Sequence, residues 1–163
     1  MSRQVLSRQA SAPAIDAWVG LLRAHASSTR ALNAQLVAEH GLTINDYEAL
    51  LHLSRADGNA LRRVDLAAQL LLTASGVTRL LDGLERAGYV EKASCETDAR
   101  VTYAVLTDAG RAKLEQASSG HVASVRALFE ERFDEQELAQ LAELLGRLPG
   151  AAAVDGETCS PDG

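Results

Sequence analysis

Cysteine is scarce: the chain has two, Cys95 and Cys159, among 163 residues. That excludes a disulfide framework, and neither cysteine has a C-x-x-C partner. The four histidines (His25, His40, His52 and His121) show no metal-ligand spacing. No glycine-rich phosphate loop or nucleophile elbow occurs, so nothing in the sequence argues for an enzyme and no cofactor or metal is expected. No apolar run approaches the roughly 20 residues that cross a bilayer, and the N-terminal arginines precede no hydrophobic segment with a cleavage site. A cytoplasmic protein without a membrane partner is the expectation. Positive charge is lacking too, since the formal net charge is −6.

That charge is spread unevenly. Residues 130–163 hold nine acidic and two basic side chains, whereas residues 1–129 hold 14 basic and 13 acidic. The excess acid therefore belongs to the last helix and tail. A polyanion partner would have to be met by a local cluster of Arg62, Arg63, Arg79, Lys92 and Arg100. The length suffices for one domain with a buried core and is short for two.

What is present is a patterned centre. Arg63 to Leu70 repeats its apolar residues at i, i+3 and i+4, as a short packed helix does, and Leu71-Leu72-Thr73 follows as a connection. A second helix then carries Val77, Leu80, Leu81 and Leu84 on one face. Ser75, Thr78, Arg79 and Asp82 lie on the other. Thr73 or Ser75 can cap its start, Ala74, Ser75 and Gly76 allow close approach to another surface, and Gly88 suits the left-handed position after its end. An ordinary amphipathic helix with a solvated polar face has the same pattern, so the neighbours decide. Tyr89–Ala93 and Val101–Leu106 read as two strands, with Ser94–Arg100 as a polar loop between them. Short helix, tight connection, amphipathic helix and charged hairpin form the order of a winged helix-turn-helix, in which the N-terminal residues of the second helix meet base edges. Ser75, Thr78 and Arg79 are the candidates for the major groove, with Thr73 and Gly76 also counted as DNA-binding at the helix start. Arg100 is the wing residue for a minor groove or a phosphate, with Asp98 orienting it by a charge-assisted hydrogen bond. Lys92, Arg62 and Arg63 complete the set, although the two arginines can equally be solvated charges ahead of a helix.

These residues resemble the multiple antibiotic resistance regulator (MarR) family of bacterial transcription factors. The resemblance rests on D-L-A-A-Q-L at Asp65–Leu70, S-G-V-T-R-L-L-D-G-L-E-R-A-G-Y-V at Ser75–Val90, D-A-R at Asp98–Arg100 and L-T-D-A-G at Leu106–Gly110. Upstream, Gly41-Leu42-Thr43 and the Leu50-Leu51-x-Leu53 run fit the family's second helix, so the likeness covers about residues 14–148. It implies a mainly α fold with a small β wing, a winged helix-turn-helix flanked by N- and C-terminal dimerisation helices. It also implies a homodimer on a palindromic operator in double-stranded DNA, acting as a repressor released by a small aromatic or phenolic ligand. The alternative is a winged-helix protein-interaction module that does not bind DNA.

The ends fit that scheme. A first helix is expected over about 13–40, with Ile15, Trp18, Val19 and Leu22 on one face, and a second from a capping-box-like Thr43-Ile44-Asn45-Asp46 to about Arg55. A long helix is expected from Asp108 to about Phe133, broken in composition at Ser118-Ser119-Gly120. A last helix follows with Leu138, Leu141, Leu144 or Leu145, and Leu148 in a stripe. The domain is thus placed at 13–149, its DNA-binding lobe at about 43–107 and its dimerisation helices at about 13–40 and 108–148, with disordered tails at 1–12 and 150–163. From the first two helices, Trp18, Arg23, His25, Arg30, Tyr47 and His52 can offer stacking, charge and hydrogen bonds to a ligand. Trp18 in a dimer core and the arginines as surface charges are the plainer roles. Peroxide-sensing relatives carry a cysteine near the start of the first helix, and none lies there in this chain. Cys95 sits in the wing beside Glu96, a carboxylate expected to disfavour the reactive thiolate while Lys92 partly offsets that, so control by ligand rather than by oxidation is expected.

Overall fold

A proline just inside one end and a glycine just past the other delimit the first helix, α1 (Pro13–His40). Pro13 needs no N–H partner, and Gly41 adopts a left-handed φ of 67° so that its N–H reaches Val37 O at 3.0 Å. Thr43 then opens α2 (Ile44–Arg55) with a reciprocal capping box: its hydroxyl accepts from Asp46 N, and the Asp46 carboxylate accepts from Thr43 N at 2.8 Å. Asn33 of α1 accepts from Ile44 N at 3.0 Å, which ties the start of α2 to the helix before it. The computed structural model describes residues 12–150. Apart from Ala12 and Gly150, the tails expected at 1–12 and 150–163 lie outside the described residues, as does Cys159.

One 3-10 turn (Asp57–Asn59) leads into β1 (Ala60–Arg62), α3 (Arg63–Gln69) and α4 (Ala74–Arg86). The hairpin follows as β2 (Val90–Ser94) and β3 (Thr102–Leu106). All three strands form one antiparallel sheet in the order β1-β3-β2, with Ala60 opposite Val105 and Val90 opposite Leu106. The sequence reading has two strands here; β1 is a third, which joins the outer edge of the hairpin and fixes the lead-in to α3. Helix α5 (Asp108–Glu130) runs unbroken through Ser118-Ser119-Gly120 and ends three residues short of Phe133. The serines do not break it: Ser118 and Ser124 donate to carbonyls one turn back, at Leu114 and Gly120. At Gly120 the helix meets Gln35, Glu39 and His40 of α1, so the missing side chain permits a close crossing. Helix α6 (Glu135–Gly146) starts from an Asp134–Glu137 capping box.

The core sits under the sheet, where α1, α2, α3, α4 and α5 converge. Leu36, Leu50, Leu53, Leu66, Val77, Leu81 and Val90 are its largest fully buried side chains, and Tyr47, Leu84, Ala104, Leu106 and Leu114 pack with them. The α4 stripe falls as the periodicity requires, with Val77, Leu81 and Leu84 buried and Leu80 half-buried against them. The outer helices differ. In α6 no residue is buried within the chain, and at the start of α1 Ile15, Val19 and Leu22 are exposed and Trp18 is 57% exposed.

Candidate nucleic-acid interface

Thr73, not Ser75, caps α4. Its hydroxyl accepts from Gly76 N at 3.1 Å, and the Ser75 hydroxyl lies 3.2 Å from it. A Cβ on Gly76 would meet that hydroxyl at 3.2 Å, so glycine here leaves room for the cap it helps to satisfy. Ser75 and Arg79 are exposed at the first turns of α4, and Thr78 is half-buried with its hydroxyl donating to Ala74 O at 2.8 Å. Thr73, Ser75 and Arg79 thus share an exposed polar N-terminal end whose opposite face is anchored in the core. Unpaired N–H groups and the helix dipole make such an end favourable to an anion.

Arg100 stands at the tip of the hairpin, with its side chain 91% exposed. The Asp98 carboxylate accepts from Arg100 Nε at 3.2 Å and from its backbone N at 3.0 Å, so one oxygen sets both backbone and guanidinium. The turn is closed by Val101 N donating to Asp98 O at 3.0 Å and Cys95 N to Val101 O at 3.1 Å. Cys95 is half-buried here, its sulfur 3.1 Å from the Thr97 hydroxyl.

Two further candidate cations have protein partners. Arg62 grips Asp65 with two donors, Nε at 2.5 Å and Nη2 at 3.0 Å, across the start of α3. Lys92 of β2 reaches Asp82 at 2.6 Å and Glu85 at 3.0 Å, both on α4. Its hydrogen bonds to those carboxylates raise the Lys92 pKa, and the bond to Lys92 lowers that of Asp82. Lys92 therefore clips the wing to α4, a link the sequence reading missed because Glu85 was not among its candidates. Arg63 is half-buried at the first position of α3, and its charge also acts on Asp82.

A second clamp holds the end of α4 to α5. Gly88 takes a left-handed φ of 77° directly after the helix. Its carbonyl accepts from the Thr107 hydroxyl at 2.7 Å, while that hydroxyl accepts from Gly110 N at 3.0 Å. Thr107 N donates to Tyr89 O at 3.1 Å. The L-T-D-A-G segment thus does more than begin a helix: it pins the loop between α4 and β2.

The ligand candidates do not converge within the chain. Trp18, Arg23, His25 and Arg30 are all exposed on α1. Trp18 and His25, seven residues apart, share a face to within about 20°, whereas Arg23 and Arg30 share one about 140° away. Tyr47 is buried, its ring 4.5 Å from that of His121 and its hydroxyl 3.2 Å from the Ser118 hydroxyl. His52 is half-buried, and burial followed by the Arg55 charge lowers its pKa. Glu48, absent from the candidates, is a half-buried carboxyl on α2 whose pKa burial raises and the His25 charge pulls back down.

Comparison with known proteins places this arrangement in company. The MarR family model matches residues 40–101, from the end of α1 to the loop of the wing, just before β3. The chain is 33% identical over 114 residues to the HTH-type transcriptional repressor YetL of Bacillus subtilis (strain 168), spanning 68% of each. It is similar to AbsC, a MarR family transcriptional regulator from Streptomyces coelicolor, at TM-score 0.74 and 32% identity over 83% of this chain and 91% of that one. Sco3205, a MarR family transcriptional regulator from Streptomyces coelicolor solved in complex with DNA, aligns at TM-score 0.76 and 26% identity, covering 89% of this chain and 88% of its own.

Proposed function

The chain belongs to the MarR family, and from that premise we propose that this DNA-binding transcriptional regulator acts as a homodimeric cytoplasmic repressor released from its operator by a small molecule. Each copy sets the N-terminal end of α4 in a major groove, with Thr73, Ser75, Thr78 and Arg79 toward the base edges. Arg100, held by Asp98, follows the duplex to a minor groove or phosphate. Two-fold symmetry makes the operator palindromic. The observation that carries the reading is the pairing of an exposed polar helix start with an oriented, exposed wing arginine on one lobe. That YetL is a repressor and that Sco3205 was solved in complex with DNA support it.

The ligand is proposed to be an aromatic or phenolic anion bound between the outer helices and the winged lobe, near Trp18, Arg23, His25, Arg30, Tyr47 and His52. Because these residues point several ways within one chain, a complete site requires the second copy or a subset of them. Release requires that the ligand bind the DNA-free conformation more tightly than the DNA-bound one.

The test is fluorescence anisotropy with the promoter fragment upstream of the chain's own coding sequence. Arg79→Ala and Arg100→Ala are each expected to weaken binding by about 1–3 kcal/mol. Wild-type affinity in both variants would remove this map of the interface. Saturating phenolic acids are expected to raise the melting temperature and lower operator affinity, and no effect on either would discard this ligand class.

A further inference from the structure

The backbone takes a left-handed φ at six described residues: Gly41, Gly58, Asn59, Leu71, Gly88 and Gly150. Five are glycine or asparagine, the residues that accept this conformation at least cost. The exception is Leu71, at φ 53°, in the turn that joins α3 to α4. The residue is also 92% exposed. Leu71 N donates to Ala68 O at 3.2 Å and Leu72 N to Ala67 O at 2.9 Å, so the turn is held by backbone bonds that glycine or asparagine would make equally well. In the folded chain the leucine side chain therefore brings strain without burial. A single exposed leucine is ordinary; one forced into a left-handed turn, where a smaller residue fits better, calls for a use outside the chain.

Its position supplies that use. Two residues of extended chain span at most about 7 Å, so Leu71 lies close to the cap Thr73 at the end of α4 that enters the groove. In helix-turn-helix docking the first helix crosses the phosphate backbone while the second meets base edges, which lays the turn between them over the groove's rim. The carbon available there is deoxyribose or the thymine C5-methyl. We propose that Leu71 is a DNA-contacting residue, its isobutyl group packed against apolar carbon at the rim of the groove that α4 enters. This rests on the DNA-binding reading above and adds a contact that carries no charge.

The experiment uses the full chain, its Leu71→Gly and Leu71→Asn variants, and the same promoter fragment prepared with thymidine or with deoxyuridine. Both variants are expected to melt at or above the wild-type temperature, because they relieve the backbone. They are also expected to bind the thymidine fragment about tenfold more weakly, the scale of losing one to two buried methyl groups. Stability and affinity thus move in opposite senses, which a folding defect cannot produce. If deoxyuridine weakens the wild type and erases the difference between it and the variants, the contact is a thymine methyl. If the difference persists on both fragments, the contact is deoxyribose. Wild-type affinity in both variants would overturn the proposal and assign the leucine to some other surface, such as a protein partner. A joint fall in melting temperature and affinity would overturn it too, by making Leu71 part of the fold. A wild-type chain that does not prefer the fragment over bulk DNA would instead bring down the DNA reading itself, and this contact with it.

Discussion

Gly110 shows how much one residue carries. It is buried at the first turn of α5, and a Cβ there would land on the Tyr89 carbonyl oxygen and within 2.8 Å of Leu106 Cδ1. That carbonyl already accepts from Thr107 N, so it is not free to move. Gly110→Ala is therefore expected to destabilise the chain by about 1–3 kcal/mol or more, through overpacking against fixed backbone. Thermal unfolding followed by circular dichroism checks this, and an unchanged melting temperature would show that the loop between α4 and β2 can yield. The clash at Gly110 joins residues far apart in the sequence, whereas helix-end chemistry is local and was legible there. Pro13, Thr43, Thr73, Thr107 and the glycines after α1 and α4 each sit at the helix end their chemistry favours, although Thr107 also bonds Gly88, 19 residues away. Leu71 was not legible as a special position, because nothing in a leucine announces a left-handed backbone. The Arg62–Asp65 pair had a usable signal, opposite charges at i, i+3. The Lys92 pairs with Asp82 and Glu85 had none, since they join residues of a helix and a strand brought together only by the hairpin.

At the scale of elements, the helices were readable and the sheet only partly so. A helix of twelve or more residues displays its period, as α2, α4 and α5 do. A strand of three residues has no period to display, and β1 exists because β3 offers it partners. The packing of α5 on α2 places His121 where only 8% of it is exposed, beside the Tyr47 ring, with its Nδ1 buried and unbonded. Burial lowers the His121 pKa below the ordinary 6.5, and burial followed by the Arg55 charge does the same for His52. A histidine depressed in the folded state contributes stability that is present above the unfolded value of 6.5 and is lost as pH falls through the lower, folded one. The melting temperature is therefore expected to drop as pH is taken from about 7.5 to about 5.5. His121→Leu should flatten that slope in part, leaving the His52 share. A scan of melting temperature against pH in both proteins decides this, and equal slopes would show that the burial of His121 does not matter to titration.

For the whole molecule the question is what covers the outer helices. Trp18 is 57% and Leu144 55% exposed, and no residue of α6 is more than half-buried within its own chain although leucines recur along it. Pairing with a second copy would cover both stretches, and Trp18→Glu with Leu144→Glu is expected to turn a species of twice the 17.3 kDa chain mass into one of that mass. Light scattering after gel filtration reads this directly; a wild-type mass of one chain would end the dimer reading. A dimer would also set the salt dependence of binding, and there the ion pairs of the DNA lobe become countable. If Arg62 and Lys92 keep their carboxylates, the phosphate contacts come from Arg63, Arg79 and Arg100 in each copy. Six neutralised phosphates give a slope of log affinity against log salt of roughly −5, whereas recruiting Arg62 and Lys92 would steepen it to roughly −9. We expect the shallower value, because either residue would have to leave a carboxylate stranded beside the phosphates. Titrating operator affinity from low to moderate salt separates the two, and Lys92→Gln adds a second readout. At a slope near −5, Lys92→Gln loosens the wing without changing the slope; at a slope near −9, it lowers the slope by about two for the dimer.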